Sequence, residues 1–386
     1  MSFVSYFSFY FFIFFSIFCI NDIRNIKSTV TKYYLFLVFI FVCLIYIGFR
    51  GFVFTDWINY YPRFERCPAN ISDFIYYVQN NKFLTDLGFE VFQFICKLIS
   101  PSFFTFQFIC FTIDFFILYL VFKDLNKDNI ILCFLCFFAF KGFEIEFNLL
   151  RNSKSIMLFL FSLRYIYGKK SFAKYCLMNI IGCLFHISSL IYIPMFFLLG
   201  KKFNRLFYIC IFIFSILIML SRISISKKVI ELICSFIPEG KILQKLLTYS
   251  QSEVYSASSV FSAITLERIL IFILILYMYP YLKLDKKNFI FINMYALYFI
   301  VCFVFWDFYV IVQRGSFLFI GSIWILVPRM FSYIKNKSYK MLFYILFFWY
   351  ALYKLYNDCS NPWFEYQFCL FDLDYDSKLI KVKNFN

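Results

Sequence analysis

Apolar residues along the chain neither alternate nor keep to one helical face; they fill long runs that are oily on every side. These runs cover roughly residues 3–20, 33–49, 102–122, 129–147, 152–167, 174–186, 188–200, 206–221, 265–282, 288–308, 315–334 and 341–356. A helix needs about 20 apolar residues to cross a hydrocarbon core about 30 Å thick, and runs of this kind recur almost throughout the chain. A membrane barrel would instead show short segments alternating between a lipid face and a polar lumen. The pattern predicts an all-α, polytopic membrane bundle of about twelve transmembrane helices, each satisfying its own backbone groups. The first run lacks a basic leading segment and a small-residue cleavage site, so it reads as a retained helix rather than a signal peptide.

The segments between runs sort by charge. Segments 21–32, 123–128, 168–174, 201–205, 283–287 and 335–340 are short and basic, carrying among others Arg24, Lys123, Lys169, Lys201, Lys286 and Lys337. Lys and Arg concentrate in short loops on the cytoplasmic side. The alternate segments then lie outside: the long loop 50–101, the turn 148–152, the turn at His186, the loop 222–264, the turn 309–314 and the tail 357–386. This order requires 174–200 to be a hairpin of two short helices. A single crossing of that length would run about 40 Å at 1.5 Å per residue, and would place the basic segments at 168–170 and 200–202 on opposite sides. No repeat or Pro/Ser-rich linker divides the chain, so 1–386 reads as one multi-pass domain. Within the long loop, "SDFIYYVQNN" (72–81), with Ser72 as its cap, and "LGFEVFQFICKLIS" (87–100) predict helices at the outer interface.

Composition agrees: of 386 residues, 63% are hydrophobic and 26% aromatic, more than a soluble domain can bury. Lys and Arg number 38 against 22 Asp and Glu, but their place in short loops makes them topology signals rather than a nucleic-acid surface. Fourteen cysteines, mostly inside apolar runs, with a single histidine exclude zinc fingers. Cys133 and Cys136 form a C-x-x-C that reads as packing, while Cys359 and Cys369 are candidates for pairing in the outer tail. No metal site, cofactor motif, Gly-rich phosphate loop or nucleophile elbow is present.

Span interiors are nearly free of charge, with Asp114 the main exception, whereas ionisable residues gather at the outer ends. The segment "IYIGFRGFVFTDWINYYPRFERCP" (45–68) brings Arg50 and Asp56 there, beside Trp57, Tyr60 and Tyr61; Glu144, Glu146, Arg151, His186, Asp307 and Arg314 fall on the same side. Ionisable groups at membrane depth are expensive and by default face a bundle interior or a watery cavity. Arg151 and Arg314, next to small polar residues in "NLLRNSKS" and "VQRGSF", suit two-point binding of phosphate oxygens, with Arg50 third. Arg63 and Arg66 read as headgroup contacts. His186 is a candidate acid or base, since an unperturbed imidazole titrates near neutrality. Ser188 and Ser189 stand beside it.

In order and spacing, "FRGFVFTDWINYYPRFE" (49–65), "GFEVFQFICKLI" (88–99) and "NLLRNSKSIMLFLFSLRYIYGKKSFAKYCLMNIIGCLFHISSLIYIPMFF" (148–197) resemble the EpsG/Wzy-like polysaccharide polymerases. That family's pattern resembles an Arg-Gly and a Gly/Thr-Asp-Tyr-x-x-Tyr segment after an early span, an Arg-Gln opening a later span, and a Phe-His-x-Ser tip before a proline-bearing helix. The resemblance covers roughly residues 33–200; beyond them it rests mainly on the arginine of "QRGSFLF". Trp57 replaces a usual tyrosine and Asn152 a common glutamine, without loss of charge.

The resemblance implies a metal-independent, GT-C-like glycosyltransferase of the bacterial inner membrane. It would join undecaprenyl-pyrophosphate-linked repeat units at the extracytoplasmic face into O-antigen, capsule or exopolysaccharide, with a chain-length regulator as a candidate partner. On this reading Arg151, Arg314 and Arg50 meet the pyrophosphate, His186 or Asp56 takes the acceptor proton, and Trp57, Tyr60 and Tyr61 offer faces to sugar rings. A lipid-linked oligosaccharide flippase is the alternative in another class, but it would carry polar residues through the midplane. An O-antigen ligase or O-acetyltransferase is the alternative among enzymes.

Overall fold

A computed structural model of the chain describes residues 2–17, 29–81, 86–225, 262–371 and 373–383. Arg24 and Lys27 of the first basic segment, and most of the loop 222–264, lie outside the described residues. The fold is all-helical; among the described residues the β pairing is one isolated bridge, Arg50 with Phe368. Two compact units form, residues 1–194 with 334–386 and residues 195–333.

The first unit holds α1 (Ser2–Ile17), α2 (Thr29–Gly48), α3 (Trp57–Arg66), α4 (Ile71–Asn81), α5 (Leu87–Ile99), α6 (Phe103–Asn126), α7 (Ile130–Phe137), α8 (Phe143–Asn148), α9 (Leu150–Ser162), α10 (Arg164–Tyr167) and α11 (Phe172–Phe185). The second holds α12 (Met195–Leu199), α13 (Arg205–Leu220), α14 (Ala263–Leu282), α15 (Asn288–Val304), α16 (Tyr309–Phe319) and α17 (Gly321–Tyr333); α18 (Lys337–Cys359) and α19 (Tyr375–Lys383) return to the first.

By length and apolarity, two helical runs qualify as spans, Phe103–Asn148 and Ala263–Leu282, and a third if the pair Val312–Phe319 and Gly321–Tyr333, bent by 50°, counts as one. Other predicted spans take the form of shorter apolar helices: Tyr33–Gly48, Phe172–Phe185, Arg205–Leu220 and Asn288–Val304. Phe41, Phe116, Phe214 and Trp349 are each more than half exposed, an outward apolar display that suits lipid rather than water.

The run 103–148 is not one rod. Phe134 stacks on Phe115 at 4.4 Å between ring centroids and meets Phe122 edge-on at 5.0 Å, so α7 folds back along α6 through the 3-10 turn at Lys127–Asn129. This is the basic turn predicted between the third and fourth spans. Phe140 and Lys141 then leave helical geometry, Lys141 at φ 72°, and break the predicted span 129–147.

The hairpin at His186 also forms. Tyr175 donates from its hydroxyl to the Tyr192 carbonyl at 2.6 Å, whereas a straight helix would separate these residues by about 25 Å. The return arm is a 3-10 segment, Ile187–Tyr192, rather than the predicted α-helix. The helices α4 and α5 occur where the long loop is expected to hold them, but the cap of α4 is Asn70, whose Oδ1 accepts from the Asp73 N–H at 2.8 Å, not Ser72. Cys359 and Cys369 carry thiols rather than a shared disulfide, and Cys133 and Cys136 are buried.

In the second unit Asn293 ties three elements together. Its Nδ2 donates to the Leu199 and Lys201 carbonyls at 2.9 and 2.8 Å, and its Oδ1 accepts from the Tyr208 hydroxyl at 2.6 Å. Arg329 pairs with Asp285 at 2.9 Å where α14 and α15 join.

Candidate functional site

Arg50 ends α2 and turns inward. Only 1% exposed, it donates from Nη1 to the Ile47 carbonyl at 2.9 Å and from Nη2 to the Glu146 carbonyl at 2.7 Å, over the Phe147 ring. Its charge is committed to holding the end of α2 against α8. One turn on, Asn148 Oδ1 accepts from the Thr55 and Asp56 N–H groups at 3.2 and 2.7 Å and from the Thr55 hydroxyl at 3.1 Å. The aspartate is thereby fixed at the start of α3.

The segment after Asp56, predicted as charged loop, is a helix. Trp57, Tyr60 and Phe64 point inward at helical spacing and join a core with Phe89, Phe103 and Phe106. Lys97 on α5 caps the far end, donating to the Phe64 and Glu65 carbonyls at 2.8 and 2.7 Å. Trp57 is 1% exposed, with Phe52 at 4.4 Å and Tyr375 at 5.6 Å between centroids; as packed, it offers no face to a sugar. Tyr61 is less buried and stands among Phe52, Phe103 and Tyr375. Arg63 is not a headgroup contact: it makes an ion pair with the fully buried Glu90 and lies over Phe89. Burial pushes the Glu90 carboxyl up and Arg63 draws it back down. Arg66 is exposed, its Nε donating to the Pro62 carbonyl at 3.1 Å.

Arg151 opens α9 above Tyr60, 5.8 Å from the ring centroid, and its Nη1 pairs with Asp86 Oδ2. Its Nε is buried with no hydrogen-bond partner among the described residues. A buried N–H without an acceptor is costly, so this guanidinium keeps one donor unmet. The next residue, Asn152, accepts from Ser188 Oγ at 3.2 Å, and Ser188 Oγ lies 2.7 Å from His186 Nδ1. The histidine tip is thus linked through a serine to the turn that carries Arg151. Gly182 makes this possible, because a Cβ there would lie 2.4 Å from Ser189 Oγ and 3.2 Å from Ser189 Cβ. Gly182→Val should cost about 1–3 kcal/mol by overpacking and lower activity without removing any polar group. The unfolding midpoint and the activity, measured together, check this; full activity in the variant would contradict it.

Beneath the surface residues lies a buried polar cluster that the sequence only half announced. Lys154 Nζ pairs with Asp114 Oδ2 at 2.6 Å and donates to the Cys110 carbonyl at 2.9 Å; Ser153 Oγ also donates to Asp114 Oδ2, at 2.8 Å. Glu146 is 1% exposed, and neither of its carboxyl oxygens has a hydrogen-bond partner among the described residues. Glu144 pairs with Lys141 at 2.6 Å.

Arg314 belongs to the second unit, exposed on α16. Asp307, in that unit, is buried, with neither carboxyl oxygen hydrogen-bonded among the described residues. Among the described residues no group of three or more His, Cys, Asp or Glu could hold a metal ion.

The C-terminal tail docks on the same surface as the long loop. Gly51 N donates to the Gln367 carbonyl at 2.8 Å, Cys369 N to the Phe49 carbonyl at 2.9 Å and Phe54 N to the Trp363 carbonyl at 2.7 Å; the Tyr366 ring stacks on Tyr46. Loop and tail meet through these contacts.

The model of the EpsG family matches residues 32–368. No curated protein and no solved structure matches the chain.

Proposed function

The chain belongs to the EpsG family, and on that premise we propose that it is a membrane polysaccharide polymerase, a glycosyltransferase of GT-C-like architecture crossing the bacterial inner membrane about twelve times. It moves a growing glycan from undecaprenyl pyrophosphate to another lipid-linked repeat unit at the extracytoplasmic face, building O-antigen, capsule or exopolysaccharide. The observation that carries this reading is Arg151: a guanidinium at the predicted outer end of a helix, with an unmet buried donor and a hydrogen-bonded path from its neighbour Asn152 to the histidine.

In the reaction the acceptor hydroxyl attacks the anomeric carbon, a new C–O bond forms, and the bond to the pyrophosphate oxygen breaks. The lipid pyrophosphate leaves with the negative charge and the hydroxyl proton passes to a protein base. Arg151 meets the leaving charge where it develops, the situation in which a preorganised cation contributes most. Arg314 is the second candidate. Arg50, already bound to two carbonyls, orders the wall instead. His186 is the preferred base: in the tautomer whose Nδ1–H donates to Ser188 Oγ, Nε2 is the nitrogen that takes the proton. Asp56 is the alternative. Of the three aromatics, we assign the sugar contact to Tyr61, the least buried, while Tyr60 supports Arg151.

His186→Ala should lower elongation by about 10²–10⁴-fold, the usual contribution of a general base, and His186→Gln should remove the acid limb of the pH–rate profile. A profile unchanged in His186→Gln, with activity lost in Asp56→Asn, would transfer the role to Asp56.

A further inference from the structure

Asp86 stands where an aspartate usually caps a helix. It precedes α5, yet its side chain makes no cap hydrogen bond, and its backbone sits at φ 72°, ψ 20°, the left-handed region. Capping residues ordinarily take extended geometry and accept from the first-turn N–H groups. Here the carboxylate instead reaches Arg151, leaving the first N–H groups of α5 without a side-chain cap.

The pair is one-legged. Oδ2 meets Nη1, while Nε of the same guanidinium stays buried without an acceptor among the described residues. A carboxylate and a phosphate compete for an arginine through the same oxygen chemistry, and a phosphate engages it at two points. Nη1 and Nε lie on different edges of the guanidinium, so one phosphate of a pyrophosphate would take the Nη1–Nη2 edge that Asp86 now holds and an oxygen of the other would reach Nε. The released carboxylate would lie next to the N–H groups of α5 that lack a side-chain cap.

We propose that Asp86 is a resident anion on Arg151, displaced by lipid pyrophosphate, and that this competition sets the affinity of the site. The inference rests on the reading of Arg151 as the pyrophosphate residue. It makes Asp86 an affinity-setting residue rather than a catalytic one. Its release on loading returns the carboxylate to α5, so an empty site keeps its arginine neutralised and a loaded site keeps its helix capped.

The test is binding of farnesyl pyrophosphate, with farnesol as the control for the lipid tail, to the full chain in detergent micelles by titration calorimetry. Asp86→Asn and Asp86→Ser, the second retaining a capping side chain, should each bind farnesyl pyrophosphate about tenfold tighter than wild type, a gain of about 1.4 kcal/mol. Farnesol binding should not change. Arg151→Ala should lose the pyrophosphate-dependent part of binding, alone and combined with Asp86→Asn. Equal or weaker binding in both Asp86 variants, with Arg151→Ala still defective, would overturn the competition and leave the pyrophosphate reading intact. Wild-type binding in Arg151→Ala would overturn the pyrophosphate reading itself.

Discussion

Arg151→Ala is expected to slow chain elongation sharply, lowering kcat by about 10²–10³-fold, as loss of one preorganised donor at a developing charge does. Arg151→Lys should recover little of it. Lysine supplies a point charge but not the planar fork that engages two oxygens at once, and it cannot both remain over Tyr60 and supply the donor now at Nε. The substitution should leave the fold intact, because the partner it frees, Asp86, stands at the N-terminal end of α5, whose N–H groups can take its charge. Glycan ladders from cells carrying each variant, with protein level checked in the membrane fraction, measure the effect. A normal ladder from Arg151→Ala would remove the pyrophosphate assignment.

Asp114→Ala should instead destabilise the protein. Asp114 is fully buried and Lys154 is 4% exposed, so the substitution strands an ammonium inside the unit. Breaking a buried ion pair by removing one partner costs about 3–5 kcal/mol, a large share of the roughly 5–15 kcal/mol that holds a typical native state. The variant should accumulate poorly and unfold at lower temperature in detergent. Replacing both partners, as in Asp114→Leu with Lys154→Met, should recover most of the loss, because packed apolar side chains of similar size need no pairing. A double variant no more stable than Asp114→Ala would show that the pair is not what Asp114 supplies.

The features of this fold legible in the sequence are those with a local cause. Basic turns, spaced by apolar runs, located the reversals at 123–128 and at His186, and short apolar amphipathic stretches located α4 and α5. What escaped is mostly pairing at a distance. Lys154 was counted as part of an apolar run because nothing within a few residues balances it; its carboxylate lies on α6, 40 positions earlier. Arg63 read as a headgroup contact for the same reason, its partner Glu90 being on another helix. The helix from Trp57 did leave a signal: residues 57, 60 and 64 form an inward stripe, which Pro62 and the surrounding charges obscured. Trp57 looked like an open face for a sugar ring because its cover, Tyr375, comes from the far end of the chain.

In the site, Arg151 and His186 were chosen separately, each for its own chemistry, and the structure links them through Asn152 and Ser188. Asn152 is a departure from the Arg-Gln that the family pattern resembles, and its side chain is the acceptor that completes the link. Arg50, chosen for its place at a span end, serves carbonyl groups instead. A guanidinium bound to backbone carbonyls looks, in sequence, the same as one awaiting a ligand.

The most direct test of the polymerase reading uses the purified protein alone, reconstituted in liposomes and given undecaprenyl-pyrophosphate-linked repeat units. The account predicts a ladder of glycans growing by whole repeats, with lipid pyrophosphate released at each step and no ladder from Arg151→Ala. Movement of the lipid-linked repeats across the bilayer without any ladder would contradict it and identify a transporter.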